Sequence, residues 1–433
     1  MYHFVNRFAK LSVYSNEALQ KNRFVQLTFR LKMKKLLIPI ILITVFASAD
    51  AQTAKTVSAD KPEKIVTFVK TEYSTDWYAK QAELWEAEVM KNPNNDDAWI
   101  YWFKATRYKI MFEAYDTNSK NENNHDYIDG DYSPLKDIAA RLAKERPNSY
   151  ARYTIDYFCD MFVSGFECED NMLKAIEMRP DNEEMYTDYV VYLLRKGETD
   201  LMAKVLKKWY NTGEYSYSLL NYAYNEMAGM EQNGIIFVNG DTPTFSKLLV
   251  KYGKNLFPDI SVICMSLLAT PEYRKTVSNE LGISPIPEPD YQNYDKWTDD
   301  AVMHIIRESK RPCYFSTVIP NLPSFQDKLY SEGLVYKYSD KRYDNLAVKQ
   351  ENYEKRYLLD YLYEQFTPET YEATAYKLNL NYIPCFKSLL DYYKESGQKQ
   401  KYTELYGLMK RIVFKTEGIS DEKRKQYHDE IDR

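Results

Sequence analysis

Glycine, cysteine and histidine are scarce in this chain, and each shortage excludes something. Thirteen glycines among 433 residues, beside 41 tyrosines and an aromatic share of 15%, exclude a disordered or low-complexity protein and favour packed helices. The five cysteines, Cys159, Cys168, Cys264, Cys313 and Cys385, are odd in number and form no C-x-x-C pair, so zinc-ribbon and thioredoxin-like chemistry have no ligands to build on. Small buried hydrophobes are the simplest reading of them; Cys159 and Cys168 could also bridge a helical hairpin. After residue 51 the only histidines are His125, His304 and His428, too far apart in sequence to suggest a metal cluster or a triad. No apolar run beyond Ala51 reaches the length of a membrane helix. Positive charge is also short. Residues 1–51 hold 8 of the 58 Lys and Arg and 2 of the 63 Asp and Glu, leaving residues 52–433 a net charge of −11. That balance disfavours nucleic acid and an anionic membrane surface as partners.

The start of the chain is legible as a targeting segment. Lys34 and Lys35 precede an apolar stretch, Leu36 to Ala47, and Ala49-Asp50-Ala51 supplies an A-x-A cleavage pattern. Residues 33–51 therefore read as a secretory signal peptide starting at an internal methionine, with 1–32 as an upstream extension. The expectation is an exported protein, periplasmic or secreted, with no membrane span in the mature chain. No cofactor is implied.

From residue 65 to 230 the pattern is helical and recurrent. Asn92-Pro93-Asn94 returns as Arg146-Pro147-Asn148 and as Arg179-Pro180-Asp181-Asn182. The last two prolines are 33 residues apart, near the ~34-residue tetratricopeptide period. The longer first interval is filled by a polar insertion, Asp116 to Tyr132, whose acidic residues miss the calcium-loop spacing. Tyr153, Tyr157 and Met161, and again Met185, Tyr189 and Leu193, fall four apart as core stripes. A second helical region, 341–433, contains a pair at Tyr382–Glu395 and Lys399–Phe414 split by Gly397, followed by a charged tail expected to be a frayed helix.

Between them, residues 231–340 read as an α/β module. Ile235–Val238 is a buried strand, Pro243–Tyr252 a helix, and Ile260–Met265 a second strand, which makes a βαβ unit with parallel pairing. Pro312–Ser316 and Leu334–Tyr338 supply two more strands. The expected fold is therefore mainly α, with tetratricopeptide-like hairpins flanking a small four-stranded, mostly parallel sheet. Open parallel sheets bind ligands beyond the carboxyl ends of their strands. Those ends present Asn239, Gly240, Asp241, Thr242 and Thr244, then Ser266, then Ser316 with Thr317. Asp241 could accept from sugar hydroxyls or hold a cation, and the helix amides could receive an anion. The simpler reading is that Asp241 or Thr242 caps the helix and Gly240 supplies a positive φ. No metal site is nominated, and no nucleophile or acid–base set stands out.

NGIIFVNGDTPTF, PDISVICMSLL, KRPCYFSTV and EGLVYKY, in that order, resemble the soluble C-terminal region of Bacteroidetes protein O-mannosyltransferase-like membrane proteins, across about Asn233 to Tyr338. The resemblance implies a Bacteroidetes origin and a periplasmic α/β domain accompanied by tetratricopeptide-like helices. It does not imply glycosyl transfer, because the catalytic region of that family is a multi-span membrane segment absent from this sequence. The expected function is non-catalytic binding or scaffolding of envelope proteins through the helical repeats. The alternative is an enzyme or glycan-binding protein with its site around Asp241.

Overall fold

The computed structural model describes residues 61–67, 71, 73–118, 130–160, 169–317, 319, 323–364 and 372–433. The signal-peptide and upstream-extension readings fall outside them, as do His125, Cys168 and most of the polar insertion. The described chain is mainly helical with one small mixed sheet. It separates into two compact units, one ending at Tyr189 and the other running from Val190 to Arg433, a division that falls inside the segment 65–230.

In the first unit, α1 (Thr75–Lys91) pairs with α2 (Asp96–Asn118), and α3 (Ser133–Glu145) with α4 (Tyr150–Cys159); α5 (Glu169–Met178) packs on α4. The recurrent prolines explain how the pairs are joined. In each motif the residue three after the start returns its N–H to the first carbonyl: Asn95 to Asn92 at 3.0 Å, Ser149 to Arg146 at 3.3 Å, Asn182 to Arg179 at 3.2 Å. Proline suits the second position of such a turn because its φ is already set. The fourth residue then caps the next helical segment. Asn95 Oδ1 accepts from Ala98 N, Ser149 Oγ from Arg152 N, and Asn182 Oδ1 from Glu184 N. The core between the pairs is aromatic, with Trp99, Phe103 and Tyr150 buried beside Leu135, Ile138 and Leu142. Tyr78 stacks on Phe112 at 5.6 Å in a second cluster with Trp77 and Tyr108.

The second unit begins within α6 (Tyr186–Lys196) and continues with α7 (Thr199–Asn211) and α8 (Tyr217–Ala228). The sheet comes next, with β1 (Ile235–Val238), β2 (Ser261–Cys264), β3 (Cys313–Ser316), β4 (Leu329–Ser331) and β5 (Val335–Tyr338) in the order β2-β1-β3-β5-β4. The helices α9 (Asp241–Leu248), α10 (Pro271–Leu281) and α11 (Tyr294–Ser309) connect the strands. Strand β1 is parallel to β2 and β3, with Phe237 opposite Ile263 and Phe315. All four residues of each of these three strands are buried, which is why they read as unbroken apolar runs.

Here the expected four-stranded, mostly parallel sheet is corrected to five strands in a mixed sheet. β5 pairs antiparallel with β3, and β4 antiparallel with β5. The turn Glu332-Gly333-Leu334 folds the last two strands into a hairpin, with Gly333 at φ 111° and Glu332 N–H returned to Val335 O at 2.9 Å. Three half-buried residues, Leu329 to Ser331, are too short a run to carry strand alternation. Cys264 on β2 and Cys313 on β3 are separated by β1.

Beyond the sheet come α12 (Asn345–Glu351), two short helices at Asp360–Tyr363 and Glu372–Asn379, then α13 (Tyr382–Glu395), α14 (Lys399–Lys415) and α15 (Asp421–Asp432). They close over Phe386, Leu389, Tyr393, Leu408, Met409 and Ile431. The tail is not frayed. Ser420 caps α15 by accepting from Lys423 N, and Arg424 donates to Thr416 O at 2.8 Å. Among the described residues no helix is long and apolar enough to cross a membrane.

Candidate functional site

The carboxyl ends of β1 and β3 lie side by side, so Asn239 to Thr244 and Ser316 share one region, with Ser266 just beyond β2. Gly240 takes φ 86° and ψ 174°, a conformation open only to glycine, and turns the chain into α9. The helix starts at Asp241, two residues before the expected Pro243, and no side chain caps it. The expected caps, Asp241 and Thr242, are themselves the first two helical residues. The Thr242 carbonyl accepts from Tyr215 Oη at 3.1 Å.

Most of the nominated hydroxyls face inward. Thr244 is buried and its Oγ1 donates to Gly240 O at 2.6 Å, closing the first turn. Ser266 Oγ sits 3.2 Å from Cys264 Sγ. Burial pushes that thiol above its ordinary pKa, against hydrogen bonding with Ser266 and Thr244, and the nearby Asp241 charge adds to the rise. A neutral buried thiol is not a nucleophile. Asn239 is half-buried, and its Oδ1 is inaccessible to solvent and has no hydrogen-bond partner among the described residues.

Ser316 leads to a cluster that the strand-end reading missed. Its Oγ donates to Glu226 Oε1 at 2.5 Å, and Lys247 Nζ ion-pairs with Glu226 Oε2. The side chains of Lys247 and Glu226 are 0% and 2% exposed. Lys247 comes from the last turn of α9, and its ammonium reaches back toward the Pro243 carbonyl at 3.4 Å. Glu226 comes from α8, outside the sheet. Beside it, Tyr222 Oη bonds Thr317 Oγ1 at 2.6 Å and accepts from Asn381 Nδ2 at 3.2 Å. Burial, and after it the Glu226 charge, raise the Tyr222 pKa far above 10, so the phenol stays protonated. The sequence did hold a signal for Glu226. Leu219, Tyr222 and Ala223 precede it at helical spacing, so the carboxylate falls on the apolar stripe of α8.

Other candidates resolve into structure. His304 is half-buried, with Nε2 3.0 Å from Ser284 O. Asp131 Oδ1 accepts from Ser133 N at the start of α3. Among the described residues, no group of three or more His, Cys, Asp or Glu is placed to hold a metal ion. A cavity of ≈ 30 Å³ is lined by Met202, Leu248, Lys251, Val262, Thr276 and Glu280, and by none of the nominated strand-end residues. Compared with protein-family models, with curated proteins and with solved structures, the chain matches none.

Proposed function

We propose that this is an exported, non-catalytic binding or scaffold protein of the cell envelope, which holds partner proteins on its helical hairpins. One observation carries the reading. Residues 73–160 leave Tyr73, Trp85, Tyr101, Trp102, Tyr153 and Phe158 half-buried, while Thr244 and Ser316 are turned into the fold. Tyrosine and tryptophan are the residue types that anchor protein interfaces. The recurrent Pro turns and their caps support a tetratricopeptide-like origin for these hairpins. The apolar run Leu36–Ala47 with its A-x-A site supports export, and the likeness of residues 233–338 to the Bacteroidetes membrane family supports the periplasm as the compartment.

In-cell crosslinking of the tagged full chain, read by mass spectrometry, tests this. Reproducible crosslinks to envelope proteins through peptides of residues 73–160 are expected, weakened in a Tyr101→Ala/Trp102→Ala variant. Crosslinks confined to other regions, or unchanged in the variant, would reject it.

The second reading, a glycan or other small-ligand site at the strand ends, is favoured by the unpartnered Asn239 Oδ1. Calorimetry with envelope glycans should then show heat that disappears in Asn239→Ala and Asp241→Ala. Silence across the panel removes this reading.

A further inference from the structure

We infer that Lys247 and Ser316 form a carboxylate-binding site at the carboxyl ends of β1 and β3, and that Glu226 is its built-in occupant. This does not depend on the scaffold reading. The two donors divide the carboxylate between them. Ser316 Oγ serves Oε1 at 2.5 Å and Lys247 Nζ serves Oε2, as donors in a ligand site would serve a free acid. Ser316 ends β3, and Lys247, in the last turn of the helix after β1, sends its ammonium back toward the first-turn Pro243 carbonyl at 3.4 Å, so both donors meet at the sheet's own ligand-binding end. Glu226 does not. It is carried in by α8, which precedes the sheet, and it occupies the place where an open sheet of this kind receives a ligand.

The ligand class is set by charge and size. One ammonium and one neutral hydroxyl balance a single negative charge; a doubly charged phosphate would leave a buried charge uncompensated. The part of glutamate removed by truncation to alanine is a CH2–COO⁻ group, which acetate reproduces with its methyl and carboxylate. The site is therefore one for a small monocarboxylate, closed in the intact protein by an internal carboxylate.

Chemical rescue of Glu226→Ala tests this in the full-length protein. Its thermal midpoint should be lower than that of the unaltered protein and should rise saturably with sodium acetate, at ionic strength held constant with sodium chloride. Neither the unaltered protein nor Glu226→Ala/Lys247→Met should show the acetate-specific rise. An equal rise in chloride, or an acetate rise that survives in the double variant, would overturn the assignment. If Glu226→Ala stays unfolded in chloride, recovery of the native far-UV spectrum on refolding in acetate supports the site, and failure to recover overturns it.

Discussion

Asp96 is where the recurrent motifs of the first unit meet, and its removal should cost far more than an average surface charge. The side chain is 12% exposed. Arg146, from the second Pro turn, lies 2.9 Å from Oδ1, and Arg179, from the third, donates to Oδ2 at 3.0 Å. Arg179 also bonds Asp97 at 2.8 Å and lies 4.2 Å above the Tyr150 ring, while Arg146 Nη1 donates to Asn94 O at 2.5 Å. One hydrogen bond between charged groups contributes about 1.5–3 kcal/mol. The Arg146 contact and the placement of an anion in the first turn of α2 add about 0.5–1 kcal/mol. Arg179 is 36% exposed, so solvent screening argues for the lower half of that range. Asp96→Ala should therefore lose about 2–3 kcal/mol, or roughly 6–12 °C in thermal midpoint for a unit of this size. Urea melts followed by tryptophan fluorescence suit the test, because Trp77, Trp85, Trp99 and Trp102, four of the six tryptophans, lie in this unit. A double-mutant cycle with Arg179→Ala should return a coupling of about 1–2 kcal/mol. Lys80→Ala, which breaks an exposed pair with Glu83 at 3.0 Å, should stay within about 0.5 kcal/mol of the parent. If Asp96→Ala costs no more than Lys80→Ala, the convergence of the two arginines does not hold the unit together.

Two further outcomes are expected in the second unit. Burial raises the Glu332 carboxyl above its ordinary pKa of 4.5 despite a 2.6 Å hydrogen bond from Tyr343 Oη. A raised carboxyl pKa means that ionisation opposes folding, so the penalty is full above the folded pKa and vanishes below the unfolded one. Glu332→Gln, which still accepts from Tyr343, should thus raise the thermal midpoint at pH 7.5 and converge on the parent below about pH 4.5; an equal difference at both pH values refutes this. At Gly333 an added Cβ would lie 2.5 Å from Tyr357 Oη at φ 111°, so Gly333→Ala should cost about 2–5 kcal/mol from strain and overlap together. Adding Tyr357→Phe should recover part of that loss in the same melt; no recovery would mean that the overlap with the hydroxyl is not the cause.

What could be read from the chain, and what could not, divides along the range of the forces involved. Local chemistry was legible. The strand Ile235–Val238 is a fully buried apolar run, Pro271 opens α10, and Gly397 at φ 71° separates α13 from α14, each set by its own residues. The Pro motifs were visible as a recurrence, but their turn-and-cap chemistry and the convergence of Arg146 and Arg179 on Asp96 needed the fold, because 50 and 83 residues separate the partners. Strand β4 was missed because three residues carry no period. Among the nominated strand-end residues, proximity in sequence to the turn was a poor guide to availability. Thr244 and Ser316 had the right chemistry for a ligand, yet Gly240 O and Glu226 already hold them. That competition comes from elements 4 and 90 residues away.

The same competition ranks the two functional readings by energy. With Lys247 and Ser316 held by Glu226, a glycan at the strand ends would find chiefly Asn239 and Asp241. A neutral hydrogen bond contributes about 0.5–1.5 kcal/mol net and one to a charged group about 1.5–3 kcal/mol. Together they fall well short of the ~8 kcal/mol that a micromolar complex requires, and the cavity beside Met202 and Leu248 is lined by neither residue. The helical surface is not limited in this way. On residues 73–160 six aromatic side chains pack on the helical cores yet stay half-buried, and interface anchors of that type reach about 2 kcal/mol or more each. Three such anchors engaged by one partner would supply about 6 kcal/mol, more than the strand ends can offer, and polar contacts would have to supply the rest of a micromolar complex. A protein partner on residues 73–160 is therefore the reading to test first, and glycan binding at the strand ends needs α8 to give up Glu226 before it can compete.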